Sequence, residues 1–193
     1  QVAGYTALKS GPSGLFGGNA SLARETSEQW SVSFERDLTD GSLAVTVFVR
    51  QDDNAVDWTY DRARPFSRQA NSVNLRVNGL ELLWQKEWGA LSGVFGATFI
   101  DKKSEYSIGD VDASYYALNY AKQRFTAALE WRLRSDWILR WDNEYREQDK
   151  NPLRSSSDTA YRASFSLVWS PAASQSYRYI VDNATDDDFE PFP

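Results

Sequence analysis

The chain has 193 residues, enough for one ordinary domain, and its 21 basic against 27 acidic residues leave a net charge of −6. It contains no cysteine and no histidine, which excludes disulfides, thiolate or imidazole metal sites, and Ser-His-Asp or Cys-His catalysis within these residues. An acidic chain has little to set against phosphates, so nucleic acid is not an expected partner, and no run approaches the roughly 18 apolar residues of a membrane-crossing helix.

Strands are expected near 28–38, 42–56, 72–88, 91–102, 118–134, 137–147, 159–170 and 176–183, about eight in all. In "SLAVTVFVR", Leu43, Val45, Val47 and Val49 alternate with Ser42, Ala44, Thr46, Phe48 and Arg50. This is the two-residue period of an extended chain with unlike faces. In "SVNLRVNGLELLW" the apolar parity passes from Val73, Leu75 and Val77 to Leu80, Leu82 and Trp84. The change falls at Gly79, which reads as a bulge. "RFTAALEWRLR" sets Phe125, Ala127, Leu129, Trp131 and Leu133 against Arg124, Thr126, Ala128, Glu130, Arg132 and Arg134. "TAYRASFSLVW" does the same with Tyr161, Ala163, Phe165, Leu167 and Trp169 opposite Arg162, Ser164 and Ser166. Several of these runs match the roughly 9–11 residues of a tilted bilayer-crossing strand.

Alternation alone leaves open which face is wet: a soluble sandwich turns its apolar face inward, a membrane barrel outward. The connections discriminate. "TDG" (39–41), "WGA" (88–90), "SD" (135–136) and "PAASQS" (171–176) are tight, and between them lie polar links at 57–71, 103–117, 148–158 and 182–193. Short and long alternate, as in outer-membrane barrels with short turns at one end and long loops at the other. Trp84, Trp88, Trp131, Trp137 and Trp169 gather near the short-turn end, where an indole suits the boundary between hydrocarbon and head groups. The expected fold is all-β: an antiparallel up-and-down meander of about eight strands, part of a transmembrane β-barrel.

The stretch "VDNATDDDFEPFP" resembles the last extracellular link of TonB-dependent outer-membrane receptors. Val181, Asn183 and Asp186 match that family's pattern, and Ala184 replaces its usual leucine. "GLFGGNASLARETSEQWSVSFE" is similar to the family's loop-to-strand segment through Gly18, Asn19, Leu22, Glu25 and Thr26. Gly79, Leu80 and Glu81 stand where the family has a Gly-apolar-Glu strand, and Ala117–Trp131 resembles its next descending strand. The resemblance implies that residues 1–193 are a C-terminal portion of a roughly 22-stranded barrel, with the plug domain and final strand outside this chain. It also implies active uptake of a scarce solute (a siderophore, cobalamin or an oligosaccharide) across the outer membrane of a Gram-negative bacterium. The partners implied are outer-membrane lipid, the protein's own plug and remaining strands, the energy-coupling protein TonB acting through the plug, and a small-molecule solute. No enzyme activity, cofactor or metal is expected.

Candidate ligand contacts fall in "DDNAVDWTYDRARPF", where Asp57, Trp58, Tyr60, Arg62, Arg64 and Phe66 combine charge and aromatic faces able to clasp a polar solute. An unliganded solvated loop is the alternative there. Asp186, Asp187 and Asp188 are acidic enough for calcium but lack the spacing and glycine of a calcium loop, so a solvated loop is expected. Arg124, Glu130, Arg132, Arg140, Asp142, Glu144 and Arg146 are expected to line the lumen. Two other readings predict different structures. A soluble β-sandwich ligand-binding module would bury Val45, Leu129 and Phe165 between two sheets, and a small self-contained outer-membrane barrel with a structural or adhesive role would pair its first and last strands.

Overall fold

The computed structural model describes residues 16–60, 68–107, 111–114, 119–152 and 154–187. Eight long strands follow one another: β2 (Thr26–Leu38), β3 (Gly41–Tyr60), β4 (Arg68–Trp88), β5 (Leu91–Tyr106), β7 (Ala121–Arg134), β8 (Trp137–Gln148), β9 (Thr159–Ala172) and β10 (Gln175–Val181). Two-residue strands β1 (Phe16–Gly17) and β6 (Ala113–Ser114) pair with β4 and β3. The long strands form one antiparallel meander in the order β10-β9-β8-β7-β5-β4-β3-β2, so β2 and β10 lie at opposite edges and are not paired with each other. A small self-contained barrel is excluded for these residues.

At one end the strands are joined by two-residue turns, closed by the pairs Leu38–Gly41, Trp88–Leu91, Arg134–Trp137 and Ala172–Gln175. Asp40 (φ 59°) and Gly89 (φ 62°) take the left-handed conformation that such turns demand. All the long connections lie at the other end, as the sequence leads one to expect.

Cross-strand pairing fixes the faces. The row Phe34–Val45–Leu82–Ala97–Phe125–Tyr145–Tyr161 runs through seven strands on one face. Of the twenty-two large apolar side chains left exposed among the described residues, all but Leu83, Val94 and Ile180 belong to that face. Among the described residues no second layer covers it, and the buried apolar side chains are Ala70, Val73, Val77, Ala113, Ala160 and Ala163. Covering a side chain such as Val, Leu or Phe contributes about 1.5–3 kcal/mol. Leaving so many half-bare in water costs on the order of 20 kcal/mol, more than the roughly 5–15 kcal/mol that holds a domain together. This face therefore needs cover from outside these strands, as the outer side of a barrel wall does, and the described residues form no two-sheet sandwich.

Aromatic rings border the apolar band on both sides. Near the short turns, Trp84 stacks on Phe95 at 5.1 Å, and Trp169 lies between Trp137 (5.6 Å) and Tyr177 (5.5 Å). Toward the long connections Phe125 meets Phe99 at 5.4 Å and Tyr145 at 6.2 Å. Eight residues separate Trp137 from Tyr145 on β8 and Tyr161 from Trp169 on β9, which on tilted strands spans about 20 Å. The opposite face is polar. There Glu144 accepts from both Arg124 (3.0 Å) and Arg146 (2.7 Å), and Arg140 holds Asp142 at 2.8 Å.

Two sequence expectations need correction. Register is unbroken through Gly79, which pairs with Phe48 and Ile100, so no bulge sits there. The glycine instead makes room for Phe48, whose Cζ would stand 2.1 Å from an added Cβ. The bulge lies in β3 between Asp52 and Ala55, with Asn54 at φ 57°. Lastly, β3 and β4 continue to Tyr60 and from Arg68, so residues 57–60 and 68–71 are strand and not loop.

Candidate functional site

The bulge decides what the long-connection end presents. Its extra residue reverses the parity of β3: Val47 and Val49 share the lipid-facing side, yet Asp57 and Thr59 come to the polar side opposite Asn71 and Gln69. Bulges commonly re-aim side chains in this way. This one is held by Asn54, whose N–H donates to Asn74 Oδ1 at 3.0 Å and whose Oδ1 accepts from Ser72 Oγ at 3.3 Å. A left-handed asparagine with its own side-chain bonds is a low-cost way to make such a turn.

Asp57 is 1% exposed and accepts from the Tyr106 hydroxyl at 3.4 Å. Beside it, Asn71 Nδ2 donates to Thr59 Oγ1 at 2.6 Å, and Asn19 Nδ2 to Asn71 Oδ1 at 3.3 Å. The β5–β7 connection returns across this face to lay β6 along the edge of β3, through Thr59–Ser114 and Tyr60–Ala113. The β8–β9 connection locks onto it: Asn151 Nδ2 donates to Ser114 O at 2.9 Å. Arg154 donates to Asn119 Oδ1 at 2.8 Å, to Asp149 O at 2.9 Å and to Asp158. These bonds fix one geometry, since each one unmade costs about 1–3 kcal/mol, although Arg154 Nε and Asn119 Nδ2 are buried with no partner among the described residues.

Lys102 lies at the mouth of the polar wall, its ammonium 4.1 Å from the Tyr120 ring centroid. Burial lowers its pKa to about 8, against the opposing pull of Asp57. Burial likewise pushes the Tyr106 hydroxyl well up. At the rim Lys122 reaches Asp149 at 2.6 Å, a bond that raises the lysine's pKa.

The structure divides the six candidate ligand residues. Asp57 faces the polar side and is buried there. Trp58 and Tyr60 alternate to the other side, where the Arg68 guanidinium lies 4.7 Å over the Tyr60 ring. Arg62, Arg64 and Phe66 lie outside the described residues, as does Asp188. In the terminal acidic stretch Asp187 accepts the Tyr161 N–H at 2.6 Å, Thr185 donates to Tyr161 O at 2.6 Å, and Ala184 N donates to Ala163 O at 2.7 Å. The segment thereby caps the edge of β9 where β10 stops. Sequence reading missed Lys102, Tyr106, Asn151 and Arg154. Each sits on or beside a long polar connection with no local pattern to single it out.

Comparison with known proteins follows the same line. A family model described as "TonB dependent receptor-like, beta-barrel" matches residues 2–189. Among solved structures, the siderophore receptor PirA from Pseudomonas aeruginosa is similar at 17% identity and a TM-score of 0.63, over 92% of this chain and 30% of that one. The FrpB iron transporter from Neisseria meningitidis (F3-3 variant) is similar at 15% identity and a TM-score of 0.55, over 78% of this chain and 25% of that one. The chain thus spans under a third of the length of either. No curated protein matches it.

Proposed function

The chain belongs to the TonB-dependent receptor β-barrel family, and from that premise we propose that it is part of the barrel wall of an outer-membrane receptor importing a scarce small solute in a Gram-negative bacterium. An iron–siderophore complex is the first candidate, because one similar fold is a siderophore receptor and the other an iron transporter. Cobalamin and oligosaccharides are the next candidates. The observation that carries the reading is the two-faced wall: an apolar band bounded by aromatic rings outside, and a lattice of arginine and carboxylate groups inside. The receptor's own plug domain sits against that polar face, further strands complete the barrel, and TonB supplies energy through the plug.

Solute is captured at the long-connection end. Trp58, Tyr60, Arg62, Arg64 and Phe66 are the contacts, and Asp57, buried and bonded to Tyr106, steadies the end of β3 that carries Trp58 and Tyr60. The test uses the full-length receptor in cells grown without iron. Labelled ferric-siderophore uptake depends on TonB, and Trp58→Ala with Tyr60→Ala weakens binding about ten-fold. Uptake that persists without TonB, or a receptor that binds no iron chelate, cobalamin or oligosaccharide, overturns the reading.

A further inference from the structure

The lipid-facing wall is not uniformly filled. Where Ala97 on β5 and Ala127 on β7 replace the large side chains around them, a depression of about 370 Å³ opens, walled by Leu82 and Phe125. Asn143 and Tyr161 stand at one side of it. Asn143 is the feature that demands an explanation. It shares a cross-strand row with Ala127 and Ala163, two residues on the short-turn side of Tyr145. That places it about 5 Å inside the aromatic border, within the apolar band.

A primary amide has two donor hydrogens and two acceptor lone pairs. The Tyr161 hydroxyl donates to Asn143 Oδ1 at 2.7 Å. Nδ2 has only a marginal 3.5 Å approach to Ala127 O, a carbonyl already committed to the sheet. One N–H and one lone pair therefore lack a partner among the described residues. In hydrocarbon such groups are costly, and water is not at hand to relieve them. The oxygens available at this depth are those that join lipid tails to their head groups. The space suits a single unbranched tail and is far too small for a helix about 10 Å across.

We propose that this depression seats one ester-linked acyl tail of an outer-leaflet lipid, whose ester carbonyl accepts a hydrogen bond from Asn143 Nδ2. The tail runs over Ala97 and Ala127 beside Phe125, and the Tyr161 hydroxyl holds the amide in place. The inference goes beyond solute import and rests only on this face meeting lipid.

The test is native mass spectrometry of the full-length receptor released from lipid nanodiscs, with ester-linked phospholipid or its ether-linked analogue, which lacks the carbonyl. The wild type should retain one ester lipid about five-fold more tightly than the ether lipid, the ratio expected for one hydrogen bond. Asn143→Leu should bring the two lipids level, and Ala127→Trp should remove retention by filling the seat. Val47→Trp, on the same face but away from the depression, should change nothing. Equal retention of both lipids by the wild type overturns the proposal, and that comparison needs no variant to fold. Retention unchanged in Asn143→Leu and in folded Ala127→Trp overturns it equally. Ferric-siderophore uptake by Asn143→Leu reports separately on the import reading, so the two can fail independently.

Discussion

The middle of the wall and its long-connection end are built from the same strands under opposite rules. Below Gly79, β4 turns Leu80, Leu82 and Trp84 to the outer face. Above it Val77 and Val73, 4% and 2% exposed, turn to the inner face and are buried there. Nothing in the backbone changes at that point, because the register is continuous. What changes is the surrounding medium. Where hydrocarbon lies outside, apolar groups point outward and need no second layer. Where water lies outside, the apolar groups turn to the inner face and are buried there. The apolar parity of a strand therefore records where it leaves the membrane.

Substitutions that exchange the two rules should break the molecule most. Leu129→Arg places a cation on the lipid face and should cost about 2–4 kcal/mol. Ala128→Arg, one residue away on the polar wall, should cost less than about 1 kcal/mol. Folding yield into vesicles, read by urea titration, measures both. Next comes the end module: Asn151→Ala frees the Ser114 carbonyl and should loosen the connection by about 1–2 kcal/mol. The expected result is faster protease cleavage within residues 107–120, with the band strands unaffected. Smaller still is Glu144→Gln on the polar wall. It leaves Arg124 directly opposite Arg146 with no carboxylate between them, and should cost about 1 kcal/mol or less by the same titration.

The smallest effect concerns pH. Folding lowers the Lys102 pKa from 10.5 to about 8. Between those values the unfolded chain holds a proton that the folded one has released, so stability rises with pH from about 8 upward. Tyr106, shifted the other way, begins to oppose this only above about 10, leaving pH 8–10 as the window. Protection of the 107–120 connection should grow there by a few tenths to about 1 kcal/mol, and Lys102→Met should flatten the profile.

The band was legible in the sequence and the end module largely was not. Alternation in β3, β7 and β9 gave the faces, because a two-residue period survives wherever one side meets lipid. The same signal misled at Gly79, where a change of medium imitated a bulge. The true bulge at Asp52–Ala55 lies in "DDNA", where every residue is polar or small and parity carries no information. Asn54 was the available clue, since asparagine is the residue that most readily accepts positive φ after glycine. Strand continued through "DWTY" because Trp, Thr and Tyr favour extended backbone, although charged residues flank it. Asn151 and Ser114 meet across 37 positions of sequence, and only the return of the β5–β7 connection brings them together.

The direct test is a single-cysteine scan from Arg124 to Leu133 on β7, in a segment with no cysteine of its own. Spin labels on the full-length receptor in bilayers report collisions with oxygen, which concentrates in hydrocarbon, and with a water-soluble nickel chelate. Oxygen accessibility should peak at 125, 127, 129, 131 and 133, and nickel accessibility at 124, 126, 128, 130 and 132. The reverse phase, or no alternation, would contradict an apolar face turned to lipid and the membrane wall inferred from it.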